Sequence, residues 1–227
     1  MLEYPLFGIV LTLVVWVGAT RIRKWTGTPL LDPVLLSVAA IIGVLLLLDI
    51  PYASYDAGGR VISFFLGPAV VALAVPFYRQ LQQVRQYLPA IAISVSVGAV
   101  VGILSASGAV YLLGGSMESV LSVAPKSVTT PIAMELSSIL EGTPPLTIAI
   151  VVLTGILGGM AGPELLRLVG VKGDIAQGIA IGTASHGIGT ARALRDGDQK
   201  GAMSGVGMTL NGLLTTMILA VVAWLFV

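Results

Sequence analysis

The sequence predicts an all-α polytopic membrane protein of about six to eight transmembrane segments, two of them discontinuous or re-entrant. Three observations carry that prediction. Apolar side chains make up 56% of the 227 residues and charged ones only 10%, against roughly 25% charged in a soluble domain. Mean hydropathy is +0.99. The apolar residues also fall into runs close to the ~20 residues that a span needs. So little polar surface excludes a soluble globular enzyme, a disordered tail and a nucleic-acid binder. A net charge of +1 implies no polyanionic partner, and the absence of Cys removes disulfides, thiolate metal sites and thiol nucleophiles.

The elements follow in order. The first basic residues, Arg21, Arg23 and Lys24, come after the apolar run 6–20. A signal peptide has the reverse order, so this run reads as a retained first span. Trp16 and Trp25 suit interfacial depth, although Trp16 fits the interior equally well. Run 35–48, between Asp32-Pro33 and Pro51, is the second span. Stretch 51–60 (PYASYDAGGR) reads as a loop by its turn chemistry. Run 61–78 carries Gly67-Pro68 and Pro76, stretch 79–87 reads as an amphipathic surface segment, and 88–113 is a fourth apolar run. Stretch 121–140 holds Lys126, Glu135 and two prolines. A charge near the centre of a lipid-facing helix costs ~2.5–3.5 kcal/mol on insertion scales, so this is no plain span. Run 145–162 is clean again. Stretch 174–195 is the second unusual one, with Gly182, Gly187, Gly189, His186 and Arg192; run 195–200 reads as a solvated loop and 201–227 as the last span. Residues 1–60 thus form an N-terminal part with two helices and a loop, and 61–227 a core with breaks near 121–140 and 174–195.

Charge sets the expected orientation. With Arg21, Arg23 and Lys24 on the cytoplasmic side of the inner membrane, spanning odd segments place eight of the 12 Lys+Arg inside. Re-entrant odd segments add Arg167 and Lys172 and are mildly preferred by the positive-inside rule. Both arrangements put the two termini outside. Residues 66–73, 129–136 and 189–194 share a kinked pattern that suggests a weak internal repeat, as in carriers whose broken helices meet at mid-membrane.

Two clusters carry the candidate chemistry. In the first, Lys126, Ser127, Thr129 and Thr130 precede Pro131, which removes a helix donor and is expected to interrupt the helix there. Carbonyls and hydroxyls freed at a break bind polar ligands, and a new helix amino end favours an anion. A bland alternative has Lys126 snorkelling to the interface and Glu135 capping a loop. In the second, Thr183, Ser185, His186, Gly187, Gly189 and Thr190 combine hydroxyls, an imidazole and close backbone access. His186 suits proton exchange and Arg192 two-point carboxylate binding; the alternative is helix packing with His186 satisfying a neighbouring carbonyl. Gly98/Gly102 and Gly178/Gly182, four apart, fit small-residue packing. Asn211 either bonds a neighbouring helix or lines the path.

Enzyme chemistry is not expected. Ser185 and His186 are adjacent, so their side chains diverge on a helix. AMSG at 202–205 replaces the first Gly of an intramembrane serine protease's Gly-x-Ser-Gly, and the histidine lies upstream of Ser204. One His without Cys supplies no metal-ligand spacing, and no cofactor is expected.

The segments KSVTTPIAME (126–135) and GIAIGTASHGIGTARA (178–193) closely resemble the signature segments of the LrgB/CidB family, and LGPAVVALAVP (66–76) is similar to a third marker. The resemblance runs from about residue 66 to 211. It implies holin- or antiholin-like membrane proteins that modulate murein hydrolase activity and lysis, paired with a smaller LrgA/CidA-type membrane protein. It also implies, through plastid relatives, transport of glycolate or glycerate, and in some bacteria a link to pyruvate. The expected function is therefore a carrier for small monocarboxylates, with a homo-oligomeric pore as the rival. Lys126, Ser127, Thr129, Thr130, Thr183, Ser185, Gly187, Gly189 and Thr190 would bind the substrate. Lys126 or Arg192 would balance its charge, and Glu135 or His186 would couple a proton.

Overall fold

The structure, a computed structural model, describes residues 5–27, 31, 33–65, 68, 71, 78 and 81–226. Among them are nine helices: α1 (Pro5–Thr26), α2 (Pro33–Leu47), α3 (Tyr52–Phe64), α4 (Leu81–Leu112), α5 (Met117–Val123), α6 (Thr130–Ile139), α7 (Pro144–Leu168), α8 (Asp174–Asp196) and α9 (Asp198–Phe226). Four are long and apolar enough to cross a membrane, over Pro5–Thr26, Arg85–Leu112, Pro144–Leu168 and Asp198–Leu225, and α2 is apolar but shorter. The chain is an all-α polytopic membrane protein.

Two compact units divide it, Met1–Val75 and Pro76–Val227. In the first, α1 packs against α2 and α3. The loop expected at 51–60 is instead helical, as most of α3. Tertiary contact outweighs its turn-like composition. Gly58 faces Gly8 so closely that a Cβ there would overlap the Pro5 carbonyl oxygen. Tyr55 Oη and Thr12 Oγ1 lie 3.0 Å apart, and Arg60 Nε donates to Asp56 at 2.7 Å one turn away. The marker 66–76 lies, but for residues 68 and 71, outside the described residues.

The second unit holds both breaks. The described part of the expected surface segment 79–87 is the first turns of α4, a continuous helix. Run 195–200 is not a loop either: α8 passes into α9 through Gly197 alone, at φ 155° and ψ 150°. Such values are essentially restricted to Gly. Two charges of that run sit where helix dipoles favour them, Arg195 in the last turn of α8 and Asp198 in the first turn of α9, while Asp196 and Lys200 are held by ion pairs to Arg192 and Asp174. The resulting hairpin is tight. A Cβ on Gly178 would overlap the Lys200 carbonyl oxygen, and one on Gly182 that of Ser204. One core cluster joins Ile91 and Val95 of α4 to Ile179 of α8 and to Met203 and Val206 of α9. A second joins Ala124, Val128, Leu136 and Leu140 of the first broken segment to Val151 of α7 and Leu219 of α9.

Candidate functional site

The first break starts where α5 ends after seven residues, its N-terminus capped by Ser116 Oγ accepting from the Ser119 amide. Residues 124–129 are non-helical: the Lys126 amide bonds the Val123 carbonyl and the Val128 amide that of Pro125. Thr129 is extended, at φ −67° and ψ 148°, and caps α6. Pro131 therefore does not interrupt a helix, as the sequence led us to expect; it stands in the first turn of one, where its missing donor is unneeded. Lys126 consequently lies within the break and Thr130 at the start of the helix that follows it. The Ser127 carbonyl, released from helical bonding, accepts from Asn211 Nδ2 of α9 at 3.0 Å. Lys126 Nζ donates to Ser127 Oγ at 2.9 Å and has no ion-pair partner among the described residues.

The second break is a single residue. His186 interrupts α8 with φ 42° and ψ −136°. A non-Gly residue in such a region costs on the order of 1–3 kcal/mol and persists only when its surroundings hold it. Here they do. His186 Nε2 lies 2.9 Å from the Val151 carbonyl oxygen of α7; a carbonyl only accepts, so Nε2 carries the hydrogen. The ring seats over Gly155, where a Cβ would stand 2.7 Å from Cε1. The His186 carbonyl accepts from Thr190 Oγ1 at 2.8 Å, and Thr190 Oγ1 meets Ser204 Oγ of α9 at 2.9 Å.

The two breaks converge through α4 and α9. One face of α4 presents Gly98 and Gly102, a turn apart. A Cβ on Gly98 would stand 2.7 Å from Thr183 Cγ2, and one on Gly102 would stand 3.5 Å from Ser127 Oγ. On α9, Ser204, Met208 and Asn211 share a face by their i, i+4, i+7 spacing. Ser204 holds the second break and Asn211 the first. A cavity of about 820 Å³ opens between α4, the first break and α8, lined by Lys126, Ser127 and Thr183 at one end and by Lys172, Asp174 and Gln199 elsewhere. Thr183, 7% exposed, and Asn211, 0% exposed, are buried. Thr183 Oγ1 and Asn211 Oδ1 have no hydrogen-bond partner among the described residues. Each such atom costs about 1–3 kcal/mol until it finds one.

Of the residues singled out from sequence, Lys126, Ser127 and Thr183 line the cavity. Thr129 and Thr130 are half-buried beside the first break. Ser185, His186, Gly189 and Thr190 are buried around the second, with Ser185 against Gly158 and Gly189 near Gly159 of α7. Gly187 is half-buried near Met208. Arg192 is paired with Asp196 one turn further on, and Glu135 is exposed on α6. Sequence reasoning offered a cross-bond for Asn211 and a neighbouring carbonyl for His186, and both bonds are present; it missed their partners, Ser127 and Val151, the Gly155 seat and the joining of Ser204 with Asn211 in one α9 stripe. The signal for the stripe was present, since Ser204 and Asn211 are polar residues seven apart in a last span that is otherwise mostly apolar. No group of His, Cys, Asp or Glu suited to a metal ion occurs among the described residues.

Comparison with known proteins adds the family. The profile of the LrgB-like family matches residues 12–225. The chain is 35% identical over 208 residues to the uncharacterized protein YwbG of Bacillus subtilis, covering 92% of each chain. It is 35% identical over 218 residues to the holin-like protein CidB of Staphylococcus epidermidis, covering 96% of this chain and 95% of that one. Against the holin-like protein CidB of Staphylococcus aureus it is 33% identical over 221 residues, 97% and 96% of the two. No solved structure matches the chain.

Proposed function

Because the chain belongs to the LrgB-like family and sets a lysine without an ion-pair partner against a cavity, we propose that it is a carrier for small monocarboxylates. The substrates are acids of the glycolate, glycerate, lactate or pyruvate type, and the site is the Lys126 end of the cavity. The supporting observation is the pairing of Lys126 Nζ and Ser127 Oγ, 2.9 Å apart, on the cavity that both residues line. A carboxylate there gains charge-assisted bonds from the lysine and one from the Ser127 hydroxyl, whose hydrogen stays free while its oxygen accepts from Lys126. It also supplies the counter-charge that an ammonium at membrane depth requires.

Lys126 balances the substrate's charge in this reading, since Arg192 already has Asp196. His186, buried at its break, is the better placed proton-coupling candidate; Glu135 is exposed. The carrier sits in the cytoplasmic membrane with both termini outside.

A second reading follows from the relatives being holin-like proteins. An oligomeric holin-like pore, assembled with itself and with a small LrgA/CidA-type partner, would regulate lysis by leakage. Purified chain in liposomes separates the two. A carrier gives saturable uptake of labelled lactate, and Lys126→Ala lowers it at least tenfold, the lower bound for losing a charge-assisted bond of about 1.5–3 kcal/mol. The variant's melting temperature checks that it is folded. Unsaturable leakage that survives Lys126→Ala would replace the carrier with the pore.

A further inference from the structure

The cavity is far larger than a three-carbon acid, and the excess is apolar. At about the 30 Å³ that a water takes in the liquid, 820 Å³ holds more than twenty non-hydrogen atoms, and lactate fills roughly a quarter of it. The charged groups are not spread through this space. Lys126 stands with Ser127 at the first break, whereas Lys172 and Asp174 lie just before and at the start of α8; Ser94 of α4 is the polar side chain between them. Between Asp174 and Thr183, α8 runs about 14 Å. Over that length Ile175, Ala176, Ile179 and Ala180 face the cavity from α8, with Ile91 opposite on α4. Ligand pockets are mostly apolar with a few polar groups that fix orientation, and this one has the volume of a site for a much larger ligand than lactate.

We propose that the site accepts a monocarboxylate with an apolar tail. The carboxylate lies at Lys126 and Ser127, and the tail extends along the Ile175–Ala180 face of α8 towards the Asp174 end. This rests on the carrier reading for the location of the anion and extends it to the substrate's shape. Burial of each added methylene is worth about a three- to fourfold gain in affinity, so the sleeve turns chain length into selectivity. Two sources share that chemistry, a free carboxylic acid and an anionic lipid of the bilayer.

The test is a chain-length series. The full chain in nanodiscs of phosphatidylcholine is titrated by calorimetry with straight-chain acids from acetate to octanoate, and uptake of labelled lactate is measured in liposomes in parallel. Kd is expected to fall about three- to fourfold per methylene before it levels off. Ala180→Leu, which fills the sleeve, is expected to flatten the long end of the series; Ala176→Leu serves if the first variant does not fold. A Kd that stays flat or rises with chain length in the unmodified chain overturns the inference. Adding phosphatidylglycerol to the nanodiscs separates the sources: competition with octanoate assigns the tailed anion to the bilayer, and none assigns it to the free acid. Lactate uptake with a flat series removes this inference and keeps the carrier. A steep series without uptake of any acid does the reverse.

Discussion

The two breaks differ in what they do with the polar groups they release. The first uses six non-helical residues, 124–129, and turns Lys126 and Ser127 towards a cavity. The second uses one residue, His186, and spends nearly all its polar groups on its neighbours, with the imidazole on Val151 and Thr190 on the His186 carbonyl and on Ser204. Thr183 and Ala184, just before the kink, line the cavity, and the Thr183 hydroxyl is itself buried. A break opened by a turn leaves donors for a ligand; a break held by a strained residue leaves a fixed bend. The first therefore suits binding and the second positioning, and one membrane protein needs both because irregular backbone at depth must be satisfied somewhere.

The largest expected effect tests whether the second region is as rigidly packed as that contrast requires. Gly182→Leu drives a side chain into the Ser204 carbonyl and the Met208 amide. Overpacking of this kind costs about 1–3 kcal/mol or more, so the variant should melt well below the parent. Gly102→Ala, whose new Cβ makes ordinary contact with Ser127 Oγ, should melt within ~0.5 kcal/mol of it and alter lactate uptake instead. Similar melting of the two would erase the distinction between a packed and an open break.

Asn211→Leu comes next. It keeps the side chain's bulk and removes the donor to the Ser127 carbonyl at a cost of about 1–3 kcal/mol, and it also removes the unpartnered Oδ1, which offsets that cost. Melting should therefore shift little, while KM for lactate should rise because Ser127 is no longer held. Unchanged KM would mean that the first break keeps its shape without α9.

The smallest effect is expected at Arg192. Its bond to Asp196 is an i, i+4 pair with both side chains partly exposed, and such pairs contribute about 0–1 kcal/mol. Arg192→Gln should leave both melting and lactate uptake near the parent values. A tenfold loss of uptake would transfer the substrate's counter-charge from Lys126 to Arg192.

Much of this was legible in the sequence, for identifiable reasons. Lys126 beside prolines and hydroxyls, and a histidine among glycines, both violate what lipid permits, so the two breaks announced themselves. Their mechanism did not. Pro131 looks the same in sequence whether it ends a helix or opens one, and only the extended Thr129 before it decides. His186 holds a conformation that composition would have given to Gly187, because its partner Val151 lies 35 residues away. The bond from Asn211 to Ser127 spans 84 residues and leaves no local pattern. The helix over 52–64 was hidden because Gly58 lowers helix propensity and repays it only by contact with Gly8.

The chain contains no cysteine, so single introduced thiols report one position each. Ser127→Cys and Thr183→Cys, one from each break, are to be reacted with a thiol-specific label while lactate is titrated in. Both positions are expected to be labelled, and saturating lactate is expected to protect both, because one cavity serves both breaks. Protection at one position alone, at any lactate concentration, would contradict a shared cavity.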